Sequence, residues 1–212
     1  GSEAFLIRSL RHAVTLRDRD ATQRLLYFYS GKNGILHEDG GQWRRECGEL
    51  LVTAVEDACR RGQWETCLHM VQQSGLVTDS FGSLAVLVCL DHAPKPQYRS
   101  AMAMQANIPS NDWTVRHTYR VLRLLNKGRK WQSALAFAAK NAEHVSLHTP
   151  NRTTEKSVLV ELLRACAISG SQPELATEVY DQFQNQSSCG NSLQDETAKS
   201  LYHRAVIKSL QQ

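Results

Sequence analysis

The stretch Gly62-Gln-Trp-Glu-Thr-Cys-Leu68 recurs later in the chain as Gly128-Arg-Lys-Trp-Gln-Ser-Ala-Leu135. In both copies a glycine and one or two polar residues precede a tryptophan, and a small residue follows the tryptophan by three positions. Glycine commonly ends a helix, and the apolar residues that come next indicate that a second helix starts at the tryptophan. The repeated stretch therefore predicts two pairs of helices, each pair joined by a tight turn.

The same pattern returns at a regular interval between and beyond these two stretches. Tyr98-Arg-Ser-Ala-Met102 divides the separation of the two tryptophans into intervals of 34 and 33 residues. A fourth copy begins at Pro173, and its interval of 42 residues becomes 34 when the turn-rich segment 145–152 is treated as an insertion. A period near 34 residues is typical of proteins built from stacked helix pairs.

Composition also favours an all-α fold. The 212 residues include only 12 glycines and 5 prolines, and 42% are apolar, so we expect long regular elements around a substantial core. Apolar residues recur at three- and four-residue spacings, and no strand-like alternation competes with them. We predict about five and a half antiparallel helix pairs, at 3–16/18–30, 42–61/63–74, 80–92/96–107, 112–127/129–144 and 153–169/172–186, with a single helix at 192–210.

The predicted pairs divide the chain into two regions. Residues 1–41 hold the first pair and a glycine-rich loop at 31–41, and residues 42–212 hold the regular array. Gly1-Ser2 resembles the remnant of a purification tag, and the array ends on an unpaired helix, so we expect both ends to be cut from a longer protein. The longest apolar run, Leu84–Leu90, is far shorter than the roughly 20 residues that cross a membrane.

No motif for catalysis or phosphate-loop binding occurs in the sequence. Cys89 and His92 have a fragment of zinc-ligand spacing, but no second ligand pair completes a site. The six cysteines are spread over a chain large enough to fold without disulfides, so we expect free thiols. We therefore expect no enzymatic activity, cofactor, metal, membrane partner or small-molecule substrate.

Positive charge is concentrated on one predicted helix. Four basic residues recur there at intervals of four, three and four, and we call them the basic stripe: Arg116, Arg120, Arg123 and Lys127. Like charges at this spacing repel each other, so phosphate or an acidic protein surface is a reasonable partner. The other interpretation is a solvent-exposed face neutralised by carboxylates of neighbouring helices. Arg60 and Arg61 extend the basic stripe if the first helices of the pairs share one concave face.

The repeated aromatic residues Trp64, Tyr98 and Trp131 occupy the same place in each pair. They could stack on exposed bases. A large aromatic residue at a fixed repeat position more commonly sets the packing between helices, so we predict that all three are core residues. On that basis Trp131→Ala should reduce the free energy of unfolding by about 3–5 kcal/mol.

The segment from Leu162 to Phe183 resembles a pentatricopeptide repeat, because its first helix ends at Gly170 and its second carries Ala176 before an apolar-aromatic pair. The segments 62–71 and 128–137 resemble the tryptophan-containing variant found in organellar proteins of some protists. The resemblance covers roughly residues 42–186. Tetratricopeptide repeats share the helix-pair design, so a protein-binding array remains the alternative.

This resemblance implies a right-handed superhelix, a mitochondrial location and a role in RNA processing, with single-stranded RNA or other proteins of an RNA-processing complex as partners. The alternatives are a cytoplasmic location and a scaffold that binds only proteins. Pentatricopeptide repeats read one base per repeat with a polar residue at the fifth position of the first helix. The matching positions are Val52, Thr118 or Tyr119, and Val160 or Glu161. Only Thr118 fits the expected pattern, which gives weight to RNA-backbone binding or protein scaffolding.

Overall fold

The computed structural model describes residues 2–16, 20–29, 41–109, 112–141, 152–185 and 192–211. Within these ranges the chain is entirely helical, as the sequence predicts, and contains no strand. One short 3-10 helix spans Leu76–Thr78. The α-helices are α1 Ser2–Thr15, α2 Ala21–Tyr29, α3 Gly41–Arg60, α4 Trp64–Gln73, α5 Ser80–His92, α6 Tyr98–Gln105, α7 Val115–Lys127, α8 Trp131–Lys140, α9 Arg152–Ser169, α10 Pro173–Asn185 and α11 Ser192–Ser209.

The predicted helix bounds agree with these observed bounds to within four residues. The predicted loop at 31–41 and the insertion at 145–152 fall almost wholly outside the described residues.

Local signals explain why the predicted and observed helix bounds agree, because helices stop where the sequence supplies a turn residue. Gly62 and Gly170, which follow α3 and α9, adopt left-handed φ angles of 84° and 70°, a conformation that costs glycine little. At the start of α5, the carboxylate of Asp79 accepts hydrogen bonds from the backbone N–H groups of Phe81 and Gly82.

The chain forms two compact units, and the boundary between them lies between Asp112 and Trp113. In the first unit, α3 packs against α1, α2, α4 and α5, and α5 also contacts α4 and α6. The odd-numbered helices thus form one layer and the even-numbered helices another. Because α5 lies among these neighbours, every residue from Gly82 to Asp91 is buried.

The second unit repeats this arrangement of layers. Helix α9 contacts α7 and α11 in its own layer and α8 and α10 in the other. Most of its residues from 157 to 169 are therefore buried, including the fully enclosed Leu159 and Leu163. The layer α7, α9 and α11 carries the basic side chains that are described below.

The three repeated aromatic residues begin the even-numbered helices, at equivalent positions. Trp64 is the first residue of α4, Tyr98 of α6 and Trp131 of α8. Their side chains are only half-buried, so the prediction that they are core residues is only partly correct. The substitution Trp131→Ala should therefore lower the free energy of unfolding by less than about 3–5 kcal/mol, because a half-buried side chain contributes less buried apolar surface.

Five cysteines lie in the described part of the chain, and all five are buried free thiols, whereas Cys189 lies outside it. Burial in α9 raises the pKa of Cys166 from 9.0 to about 11. Between these pH values the folded thiol keeps its proton while the unfolded thiol loses it, so the folded state becomes less stable as pH rises.

We predict that Cys166→Ala removes this contribution. Urea unfolding measured from pH 9 to 11 gives the slope of the free energy of unfolding against pH. This slope should be less negative in the variant than in the wild type, and the two slopes should differ by about 1.4 kcal/mol per pH unit. The slope rather than the absolute stability is the readout, because the missing sulfur atom also leaves a small cavity at every pH. Equal slopes would show that the thiol is not shielded from ionisation.

Candidate anion-binding groove

A groove of about 550 Å³ lies in the second unit, where α7, α9 and α11 approach one another. Its lining comes from the second half of each of these three helices and from the residue that follows Gly128. Six of the lining residues are basic, two of them from α7, one from the turn after α7, one from α9 and two from α11: Arg123, Lys127, Arg129, Arg164, Arg204 and Lys208.

Glu161 is the only acidic residue among the described residues that line this groove. It is 4% exposed, and one carboxylate oxygen, Oε2, accepts a hydrogen bond of 2.9 Å from Nδ2 of Asn126 and one of 3.1 Å from Nε of Arg164. The same Nδ2 atom donates to the backbone oxygen of Glu161 at 2.8 Å. Glu161 therefore offsets the charge of Arg164 and joins α7 to α9, and the other five basic residues make the described lining formally positive.

Lys208 links α11 to the end of α9. Its ammonium group donates a hydrogen bond to the backbone oxygen of Ile168, one of the last carbonyl groups of α9. A positive charge is favourable there, because the C-terminal end of a helix carries a partial negative charge. The side chain passes so close to Gly170 that a Cβ atom at this glycine would lie 2.6 Å from Cδ of Lys208. Lys208 therefore has a packing role in addition to its place in the groove.

Arg129 reaches the groove from a strained backbone. Its φ angle of 55° is the only positive value at a non-glycine residue in the described chain. It lies two positions before Trp131, as the left-handed Gly62 lies two positions before Trp64. In the second unit the left-handed position has thus moved from Gly128 to the next residue. A non-glycine residue in this conformation costs about 1–2 kcal/mol, so arginine occupies a position at which glycine would be less strained.

Only half of the predicted basic stripe belongs to the groove. Arg123 and Lys127 line it, whereas Arg116 and Arg120 lie on earlier turns of α7 and are not among its lining residues. Arg123 donates a hydrogen bond of 2.9 Å to the hydroxyl of Tyr119. The guanidinium carbon of Arg120 lies 5.6 Å from the centre of the same ring, which is within cation–π range.

Thr118 has no exposed surface, so it cannot contact a base in this structure. Its hydroxyl accepts a hydrogen bond of 3.0 Å from the indole N–H of the buried Trp113, which explains why a polar residue occupies this core position. Val52 and the alternatives Val160 and Glu161 are buried too, and Tyr119 alone among the predicted base-reading positions is partly exposed. We therefore leave Thr118 out of the candidate site.

Arg60 and Arg61 lie in the first unit, at the end of α3. Arg60 forms ion pairs with two carboxylates of its own helix, at 3.1 Å to Glu56 and 3.4 Å to Asp57. Arg61 is exposed in the turn that follows. The local ion pairs reduce the positive potential around Arg60, as expected for a solvent-exposed helix face.

Four basic residues of the groove were missed by the sequence analysis. Arg204 and Lys208 are four residues apart in α11, so the search that found the basic stripe could have found them. Arg129 and Arg164 are isolated along the sequence, and only the packing of α7 against α9 brings them together. The groove is thus a product of the helix layer rather than of one helix.

In comparisons with protein-family models, curated proteins and solved structures, no significant match to this chain was found. Among the described residues, no group of three or more His, Cys, Asp or Glu side chains could hold a metal ion. No helix in the described ranges has the length and hydropathy needed to span a bilayer. The candidate site therefore rests on the groove itself.

We predict that Arg129→Gly stabilises the fold and weakens anion binding together. Glycine relieves the left-handed strain but gains more conformational entropy on unfolding. The free energy of unfolding, measured with urea, should therefore increase by at most about 1 kcal/mol. Inorganic sulfate, titrated at constant ionic strength, should protect the variant from unfolding less than it protects the wild type. A variant that is destabilised, or equally protected by sulfate, would contradict this role for Arg129.

Proposed function

We propose that this chain is a non-catalytic helical-repeat protein of the pentatricopeptide type, whose second unit binds the phosphates of single-stranded RNA. In this proposal its helices form about five and a half pairs that stack into a right-handed superhelix. The protein serves as an accessory component of an organellar, mitochondrial ribonucleoprotein assembly. The observation that carries the RNA-binding role is the convergence of six basic side chains, from three helices and the turn after α7, on one groove.

The repeat interpretation is supported by the order of contacts within each unit. Odd-numbered helices contact one another in sequence order, and each even-numbered helix packs on the helix before it. An aromatic residue begins α4, α6 and α8, and a proline begins α10. Stacked helix pairs produce this pattern because one pair alone cannot cover its own apolar faces.

Burial of the base-reading positions favours backbone recognition. Val52, Thr118 and Val160 are enclosed by protein, whereas four arginines and two lysines line an open groove. Arginine matches phosphate well, because its planar guanidinium donates two parallel hydrogen bonds to phosphate oxygens. Phosphate contacts carry no direct sequence information, so we expect binding that tolerates different RNA sequences.

A scaffold that docks an acidic protein segment is the second candidate, and the same burial of base-reading positions favours it. Such a segment would use the same positive groove. Its binding would survive nuclease treatment of an organellar extract, and an oligoglutamate peptide would displace it. RNA-dependent binding would be lost under nuclease.

Lys127 and Lys140 offer a matched pair of variants for the test. Each is the exposed last residue of its helix, in α7 and α8, and only Lys127 lines the groove. We predict that Lys127→Glu weakens binding to every single-stranded RNA by at least about tenfold at 0.1 M salt, because a phosphate contact becomes a repulsion. Lys140→Glu makes the same change in net charge at the same helix position and should weaken binding much less.

Fluorescence anisotropy between about 50 and 200 mM salt supplies the measurement. The log–log slope of affinity against salt should approach about −0.7 per phosphate contact in the wild type, and it should be flatter by at least one contact in Lys127→Glu. Absence of RNA binding, or equal loss in the two variants, would contradict the proposal. Circular dichroism of both variants checks that helix content is retained.

A further inference from the structure

Three buried cysteines of the first unit lie together where α3, α4 and α5 meet, and we call them the thiol cluster. Cys59 is the second-last residue of α3, Cys67 lies in the first turn of α4, and Cys89 lies in the last turn of α5. Their exposed fractions are 3%, 2% and 0%, in that order. Because each residue comes from a different helix, the cluster is a product of helix packing and is not visible as a motif along the sequence.

Cys59 is the central member of the thiol cluster. Its Sγ atom lies 3.8 Å from Sγ of Cys89, which is close to contact between the two sulfur atoms. The thiol of Cys59 is also hydrogen-bonded to that of Cys67. A disulfide holds its two sulfur atoms about 2.0 Å apart, so Cys59 and Cys89 need to approach each other by about 1.8 Å. A change of side-chain rotamer moves a sulfur atom by at least this distance.

The other two buried thiols of the described chain provide a comparison. Cys47 and Cys166 are 2% and 0% exposed, so they are as enclosed as the thiol cluster. Burial is the main influence on each of these two thiols, and neither has another thiol as a hydrogen-bond partner among the described residues. Contact between sulfur atoms, rather than burial, therefore distinguishes the thiol cluster.

The thiol cluster is unreactive while the first unit is closed. The hydrogen bond with Cys59, together with burial, raises the pKa of Cys67 well above 9.0. The hydrogen bond with Cys67 lowers the pKa of Cys59, but the hydrogen bond with Cys89 and burial outweigh it, so this pKa is raised as well. The thiolate is the form that attacks a disulfide, and an enclosed sulfur atom is out of reach of an oxidant. Oxidation therefore requires local opening of the first unit, and closing then protects the product.

We propose that the thiol cluster is a site of oxidative modification, at which a small disulfide oxidant converts Cys59 and Cys89 into a disulfide that joins α3 to α5. Cys67 stays a thiol beside this bond. The site lies in the first unit, whereas the groove lies in the second, so this inference does not depend on RNA binding.

Two thiol–disulfide exchanges form the bond. The thiolate of Cys59 attacks one sulfur atom of the oxidant, whose S–S bond breaks and releases one small thiol. The thiolate of Cys89 then attacks the sulfur atom of Cys59 in the mixed disulfide and releases the second small thiol. The two cysteines lose two electrons, which reduce the oxidant, and their two protons end on the two released thiols.

The new bond would link residues 30 positions apart in the chain. A cross-link over this separation restricts the unfolded chain more than it restricts the packed helices. We therefore expect the oxidised chain to have a thermal midpoint about 5 °C or more above that of the reduced chain. Dithiothreitol, added to the chain after unfolding, should restore the lower midpoint on refolding.

The test treats the whole chain with glutathione disulfide at pH 8, in urea below the unfolding midpoint so that local opening occurs. Remaining thiols are blocked with N-ethylmaleimide, and linked peptides are identified by mass spectrometry. The main disulfide within the chain should join the peptides that contain Cys59 and Cys89. Cys89→Ala should remove it. Cys166→Ala, the same change at an equally buried thiol outside the cluster, should retain it, and so should Cys67→Ala.

Circular dichroism checks that each variant is folded, and the wild type with Cys67→Ala tests the inference even if Cys89→Ala does not fold. The expected linkage in these two proteins, with the raised thermal midpoint, supports the inference. Absence of a disulfide within the chain overturns it, as does a main disulfide between Cys59 and Cys67 or one that involves Cys166. An oxidised chain that melts below the reduced chain also overturns it, because the bond would then disrupt the packing of α3 against α5.

Discussion

The groove depends on the buried carboxylate of Glu161. This group accepts hydrogen bonds from Asn126 of α7 and from Arg164 of its own helix, so it fixes the two helices against each other at one point. A buried charge is costly unless it is paired and hydrogen-bonded, and the arrangement satisfies both requirements. Lys208 makes the corresponding link from α11 to the last carbonyl groups of α9. These two polar links hold the ends of three helices in the positions that bring their basic side chains together.

Several features of the second unit reduce stability locally and are consistent with a site that binds anions. Basic residues that converge from three helices repel one another, and the negative ends of the helix dipoles offset only part of that repulsion. Arg129 keeps a left-handed backbone that glycine would adopt with less strain. Oδ1 of Asn126 is buried without a hydrogen-bond partner among the described residues. Natural proteins commonly retain such local costs at functional sites, because a bound ligand compensates for them.

The sequence predicted the helices well because their signals are local. Gly62, Gly170 and Pro173 mark turns and helix starts, and apolar spacing marks the buried faces between them. The site was predicted only in part, because its interactions join residues far apart in sequence: Asn126 bonds to Glu161 across 35 residues, and Lys208 to Ile168 across 40. Thr118 was misread for a related reason. Its hydroxyl serves the indole of Trp113, and no pattern along one helix distinguishes that role from base recognition.

The most direct test of this account is to map where RNA lies on the protein. A single-stranded RNA that contains 4-thiouridine can be crosslinked to the whole chain by ultraviolet light, and the attached peptides identified by mass spectrometry. The account predicts crosslinks to peptides that contain residues 123–129, 164–168 and 201–208, which come from three helices and the turn after α7 and border one groove. Crosslinks confined to the first unit, or to α8 and α10, would contradict it.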